Sequence, residues 1–141
     1  MVGGQVLDMA AEGRAVSRYD VEQLQALKTG ALLSAAAEMG CIVAGGTQEE
    51  RNAVRRYAQK LGMAFQIRDD MLDVCGDAEE FGKPIGSDKE EGKVTFVDLL
   101  GLSGCDRAVR AHTEAAKAAV ADFDADGFLA ALADSLAERN K

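Results

Sequence analysis

Apolar positions recur with a helical period along the whole chain, and the breaks between them are short clusters of Gly, Asp and Ser. No alternating β-branched run of strand length occurs, so the pattern predicts an all-α chain. A first short helix is expected over residues 4–14, ending near Gly13. A second is expected to start at Asp20, a good N-cap residue, and to carry Leu24, Leu27, Leu32 and Leu33 towards Met39. Lys28-Thr29-Gly30 interrupts it, because glycine costs about 1 kcal/mol relative to alanine inside a helix, and predicts a kink or a functional turn. Thr47-Gln48-Glu49-Glu50 has the form of a capping box and opens a long helix running to about Cys75. Residues 76–92, with Gly82, Pro84, Gly86 and Gly92, read as a polar loop. A short apolar segment over 95–102 leads to a box-like start at Ser103-Gly104-Cys105-Asp106 and a helix to about Asp122. The last helix starts at Asp124 or Asp126 and sets Phe128, Leu129, Leu132 and Leu136 on one side. No internal repeat or linker divides residues 1–141, which read as one domain.

Composition narrows the function classes. A chain of 141 residues with 48% apolar content can close one core. With 24 Asp+Glu against 16 Lys+Arg the net charge is −8, so there is no basic stripe to displace counterions from a phosphate backbone and nucleic acid is excluded as a partner. Acidic sites that recruit cations fit the same balance. Cys41, Cys75 and Cys105 form no C-x-x-C pair and have no histidine close by in sequence, so they read as buried thiols in a reducing compartment. A basic segment followed by an apolar one, as in a secretory leader, is absent from the first thirty residues. Residues 29–46 are broken by Glu38, Gly40 and Gly45-Gly46, so a core helix is expected there rather than a membrane span. The expected location is cytoplasmic.

The chemistry concentrates in Phe65-Gln66-Ile67-Arg68-Asp69-Asp70-Met71-Leu72-Asp73. At about 100° per residue, Gln66, Asp69, Asp70 and Asp73 share an arc of about 100°. Leu61, Phe65 and Leu72 form the adjoining arc, with Met63, Ile67 and Val74 on the other side. A helix apolar almost all round belongs in a core, which puts the carboxylates in an internal cleft. Two carboxylates about 4 Å apart repel by ~1 kcal/mol in water and by ~4 kcal/mol at an effective dielectric of 20. A bound cation removes that penalty. Mg²⁺ suits the pattern, because it takes oxygen ligands and is usually held by one or two carboxylates together with substrate phosphates. The alternating ligands, central glycine and final Glu of an EF-hand loop are missing. The other reading of the stripe is a solvated acidic face paired with lysines. Lys83 and Lys93 stand in a glycine-rich segment soon after the acidic helix, where they could fold back over it, and Lys28 stands beside a glycine break. That segment is neither a P-loop nor a dinucleotide fingerprint.

Taken together these motifs carry a resemblance. Gly3-Gly4-Gln5-Val6-Leu7-Asp8, Lys28-Thr29-Gly30-Ala31-Leu32, Phe65-Gln66-x-x-Asp69-Asp70-x-x-Asp73, and Gly82-Lys83-x-x-Gly86-x-Asp88 with Gly92-Lys93-x-Thr95 stand in the order and spacing of trans-prenyltransferases. The chain resembles the C-terminal half of a bacterial farnesyl diphosphate synthase (geranyltranstransferase) from end to end, and Val97 stands where the family often has proline. The resemblance implies the C-terminal part of an isoprenoid-synthase helical bundle, in which Mg²⁺ ions hold the diphosphate of an allylic substrate such as geranyl diphosphate. Ionisation leaves an allylic carbocation that the double bond of isopentenyl diphosphate attacks before a proton is lost. Carried over by position, the resemblance implies Asp69, Asp70 and Asp73 as the metal ligands, Asp69 directly and Asp70 and Asp73 directly or through waters. Lys28, Lys83 and Lys93 contact the diphosphate, Thr29 and Gln66 point oxygens at the developing cation, and Arg139 and Lys141 help close the cavity over isopentenyl diphosphate.

The family's first aspartate-rich motif has no counterpart in these residues, so the resemblance also implies a partial domain whose isolated activity is doubtful. Asp122-Phe123-Asp124-Ala125-Asp126 has the charge but not the spacing, and is expected to be a turn. His112 reads as a solvated histidine, and Met63 and Met71 as core or cavity wall. Apolar faces left without cover point to self-association or a homodimer. Three readings stay open: the catalytic C-terminal part of a prenyltransferase, a noncatalytic partner subunit of the same fold, and a Mg²⁺-diphosphate binding module without turnover.

Overall fold

A computed structural model of the chain describes residues 2–11, 17–75 and 94–139. Among the described residues the fold is all-α: α1 (Val2–Ala11), α2 (Arg18–Gln25), a π-helical turn (Ala26–Gly30), α3 (Ala31–Val43), α4 (Gln48–Cys75), α5 (Phe96–Val120) and α6 (Phe128–Glu138), with no strand. The expected polar loop over 76–92 lies outside the described residues.

Hydrogen-bonded caps set most of the boundaries. The capping box at Thr47 is present: Thr47 N donates to Glu50 Oε2 at 2.7 Å and Glu50 N donates to Thr47 Oγ1 at 3.2 Å. Asp20, expected as an N-cap, is instead the third residue of a box whose cap is Ser17, so α2 begins at Arg18. The Ser17 side chain and amide both donate to the Asp20 carboxylate, which holds its pKa below the ordinary value. The interruption at Lys28-Thr29-Gly30 is a π-turn rather than a break, flanked by Gln25 (φ −66°, ψ −36°) and Ala31 (φ −63°, ψ −41°), so α2 and α3 continue one another.

The expected start at Ser103 is likewise displaced. The box stands at Thr95, paired with Asp98, and α5 bends at Gly101, whose φ of 65° and ψ of 163° are not helical. Asp106 instead makes an ion pair with Arg110 at 3.1 Å. Before α6, Asp124 accepts hydrogen bonds from Leu129 N (3.0 Å) and Ala130 N (2.8 Å), and Asp126 accepts one from Phe128 N (3.2 Å). The acidic turn at 122–126 therefore supplies acceptors to the first turn of α6, which begins at Phe128 with Gly127 as its N-cap rather than at Asp124 or Asp126.

The long helix α4 is the axis of the molecule. On one stretch of it Val54, Tyr57 and Leu61 pack with Ala116 and Val120 of α5 and Ala133 of α6. The Tyr57 hydroxyl donates to the Leu129 carbonyl at 2.8 Å. Further along, Ile67 packs with Val21 of α2 and with Phe96, Cys105 and Val109 of α5. Burying side chains as completely as Ile67 and Phe96 stabilises the fold by about 1.5–3 kcal/mol each.

The segment expected to be a core helix is not one within this chain. α3 has no buried residue, and Leu32, Met39, Ile42 and Val43 are exposed. The helix Tyr19–Val43 is, by length and composition only, apolar enough to cross a membrane, and 6% of its most apolar window is buried. Of the three cysteines expected to be buried, Cys105 is buried, Cys41 is half-buried and Cys75 is exposed.

Candidate functional site

Glycines bring the site together. Gly4 of α1 is buried against the π-turn, where a Cβ would lie 2.5 Å from the Lys28 Cα, a distance no side chain tolerates. Gly62 of α4 faces the same turn from the other side, and a Cβ there would lie 3.5 Å from the Gly30 Cα. These close approaches hold Lys28 and Thr29, both half-buried, between α1 and α4. Thr29 Oγ1 donates to Gln66 Oε1 at 3.2 Å, so two residues expected to face one cavity are in contact. A groove of about 460 Å³ beside the crossing is lined by Gln25, Gly30, Lys60, Gly62, Met63 and His112. His112, expected in solvent, is half-buried there.

The three aspartates of the stripe do different work. Asp70 is 4% exposed and accepts from Phe96 N at 2.7 Å through Oδ2 and from Gln66 Nε2 at 3.4 Å through Oδ1. It anchors the first turn of α5 to α4 and, through Gln66, orients the contact with Thr29. Its charge also reaches Cys105, whose thiol is pushed above its ordinary pKa first by burial and then by Asp70. Asp73 is buried, at 7% exposure. Asp69 is the most open of the three, with a side chain 39% exposed. It does not stand alone: Arg139, at the end of α6, donates from Nη2 to Asp69 Oδ1 at 2.8 Å.

Arg139 was expected over isopentenyl diphosphate, and here it lies on α4. Its guanidinium sits 3.9 Å from the centroid of the Phe65 ring, Nη2 also reaches the Phe65 carbonyl at 3.4 Å, and Arg68 Nε donates to the Arg139 carbonyl at 3.0 Å. Lys83, Lys93 and Lys141 lie outside the described residues.

The donor set accommodates a hard cation at one end only. Among the described residues no group of three or more His, Cys, Asp or Glu side chains is close enough to hold a metal. Both Asp70 oxygens accept N–H groups from the protein, so Asp70 also braces α5 against α4. Asp69 offers a carboxylate where a cation, the Arg139 guanidinium, already stands, and Asp73 is on the same face one turn on. One or two carboxylates, with substrate phosphates completing the shell, is the usual way Mg²⁺ is held.

Sequence reasoning missed the cradle. The Gly3-Gly4 pair was a usable signal for close backbone approach, and Thr95-x-x-Asp98 for the start of α5 beside Asp70. Nothing local pointed to Arg139 on Phe65 and Asp69, a contact that spans 70 residues.

Residues 1–126 match the family model for polyprenyl synthetase. The chain belongs to the polyprenyl synthetase family. It is 38% identical over 146 residues to farnesyl diphosphate synthase of Escherichia coli (strain K12), covering 100% of this chain and 49% of that protein. It is 37% identical over 142 residues to geranylgeranyl diphosphate synthase of Cyanophora paradoxa, covering 99% and 47%. A geranyltransferase from Helicobacter pylori, solved with magnesium and isoprenyl diphosphate, superposes with a TM-score of 0.79 at 30% identity over 96% of this chain and 45% of that one. This polyprenyl synthetase chain thus spans about half the length of the relatives it matches.

Proposed function

We propose that this polyprenyl synthetase chain carries one of the two metal- and diphosphate-binding walls of a Mg²⁺-dependent prenyltransferase. The reaction is condensation of an allylic diphosphate, taken as geranyl diphosphate, with isopentenyl diphosphate to give farnesyl diphosphate. The observation that carries the reading is the pairing on α4 of a cation-binding carboxylate, Asp69, with the Gln66–Thr29 contact nearby.

In this reading Asp69, supported by Asp73, holds Mg²⁺, while Asp70 fixes the wall they stand on. Mg²⁺ supplies positive charge to the diphosphate as its bond to the allylic carbon breaks and the electron pair departs with it. Lys28, Lys83 and Lys93 add charge to the same leaving group. The Thr29 and Gln66 oxygens face the carbon left electron-poor. The isopentenyl double bond then forms the new C–C bond, and loss of a proton restores neutrality. Arg139 and Lys141 belong to the side that receives isopentenyl diphosphate.

In this reading the first aspartate motif is not among these 141 residues, and turnover needs the helices that carry it. The exposed apolar residues of α3 support association through that surface, with a second copy or with a complementary chain. The location is cytoplasmic. Incubation of the purified chain with geranyl diphosphate, labelled isopentenyl diphosphate and Mg²⁺ is expected to give no labelled farnesyl diphosphate. Adding a chain that supplies the first aspartate motif is expected to restore product in a manner dependent on Asp69. Product from the chain alone overturns the half-site reading.

A further inference from the structure

Arg139 is held against α4 from several sides. Its side chain is 17% exposed, its guanidinium covers the Phe65 ring at 3.9 Å, and among the described residues its one carboxylate partner is Asp69 at 2.8 Å. The backbone is tied down as well, through Arg68 Nε to the Arg139 carbonyl. One group in this arrangement is unsatisfied: Arg139 Nε is buried without a hydrogen-bond partner. A buried orphan donor weakens the docked position relative to one in which that N–H meets water or an anion. The contact is therefore firm enough to hold the residue and imperfect enough to be exchanged.

A divalent cation on the Asp69 carboxylate would stand within a few ångströms of the Arg139 guanidinium on Oδ1, where the two positive charges repel and each weakens the other's hold on that carboxylate. We propose that Arg139 is a resident counter-cation of Asp69 that competes with the metal, so that metal arrival and release of Arg139 from α4 are a single exchange. This rests on the reading of Asp69 as a metal ligand. It makes Arg139 a residue that sets metal affinity, and it couples the metal to any anion that draws the freed guanidinium away. By linkage, an anion that binds Arg139 must strengthen metal binding at Asp69 by the same factor with which the metal strengthens the anion.

The test uses Mn²⁺ as the probe, with free ion counted by electron paramagnetic resonance and no diphosphate present. Circular dichroism of every variant checks that the helices are retained. Arg139→Gln is expected to bind Mn²⁺ about threefold or more tightly than the unaltered chain, the scale of a partly exposed ion pair removed from competition. Arg139→Lys, which keeps the charge, is expected to return the affinity to near the starting value. Asp69→Asn is expected to lose the site. If Asp69→Asn abolishes binding and Arg139→Gln binds no more tightly than the unaltered chain, the competition is wrong while the metal assignment stands. If Asp69→Asn leaves Mn²⁺ binding unchanged, the metal assignment itself fails and the exchange fails with it.

Discussion

Replacing Asp70 with alanine separates structural from metal-binding roles in the acidic stripe. The Asp70 carboxylate, 4% exposed, is the acceptor for Phe96 N at 2.7 Å and for the Gln66 amide at 3.4 Å. Truncation leaves the Phe96 N–H buried at the first turn of α5, and a buried donor without a partner costs about 1–3 kcal/mol. Losing a carboxylate that serves a helix N-terminus adds about 1 kcal/mol. The sum, about 2–4 kcal/mol, corresponds to a fall in melting temperature of roughly 6–14 °C for a chain of this length. Asp70→Asn keeps one acceptor oxygen for Phe96 N and is expected to lose about half as much. Asp69→Ala removes a partly exposed ion pair and is expected to cost within about 1 kcal/mol. Urea unfolding followed by circular dichroism at the helix band, with the three variants side by side, gives the order directly. If Asp70→Ala unfolds within about 0.5 kcal/mol of the unaltered chain, the carboxylate is not the brace described here.

Two further outcomes follow from the packing. Gly4→Ala forces a methyl against the Lys28 backbone and is expected to undock α1, so amide hydrogen exchange across residues 5–10 should lose protection while α4 keeps it. Burial, and secondarily the charge of Asp124, pushes the Tyr57 hydroxyl up to about 12. Because the folded value lies above the ordinary value of about 10, the neutral hydroxyl contributes stability in full below pH ~10 and loses it as pH rises through about 12, a change of about 2–3 kcal/mol. Denaturant midpoints measured across that window should fall for the unaltered chain and fall less for Tyr57→Phe.

Helical period and capping chemistry made most of the fold legible. Thr47-x-x-Glu50 marked the start of α4, and the carboxylates of Asp124 and Asp126 marked the turn before α6. Where two capping residues compete, the box decides: Ser17 outranks Asp20 because the serine oxygen and the aspartate three positions on satisfy one another's backbone groups. Gly101 falls within an apolar run, and its positive φ leaves no trace in hydropathy. α3 was read as core from its composition, but burial depends on what covers it, and none of its residues is buried here.

The acidic stripe on α4 was visible from spacing, while Thr29 and Gln66 as neighbours of one cavity followed only from the family resemblance. The division of labour within the stripe was not visible. Asp70 is set apart by a backbone N–H that arrives from α5, and Asp69 by an arginine at the end of α6. Both partners are distant in sequence and carry no local signal. Gly4 shows the same limit from the other direction, since only the tertiary crossing explains why that glycine cannot be alanine.

Calorimetric titration of inorganic pyrophosphate with and without Mg²⁺ reads whether Asp69 presents this chain's cation and diphosphate site. Binding is expected to require Mg²⁺, to disappear on chelation, and to be lost in Asp69→Ala while surviving in Asp70→Asn. Pyrophosphate binding that is indifferent to Mg²⁺, or that persists unchanged in Asp69→Ala, would contradict that assignment.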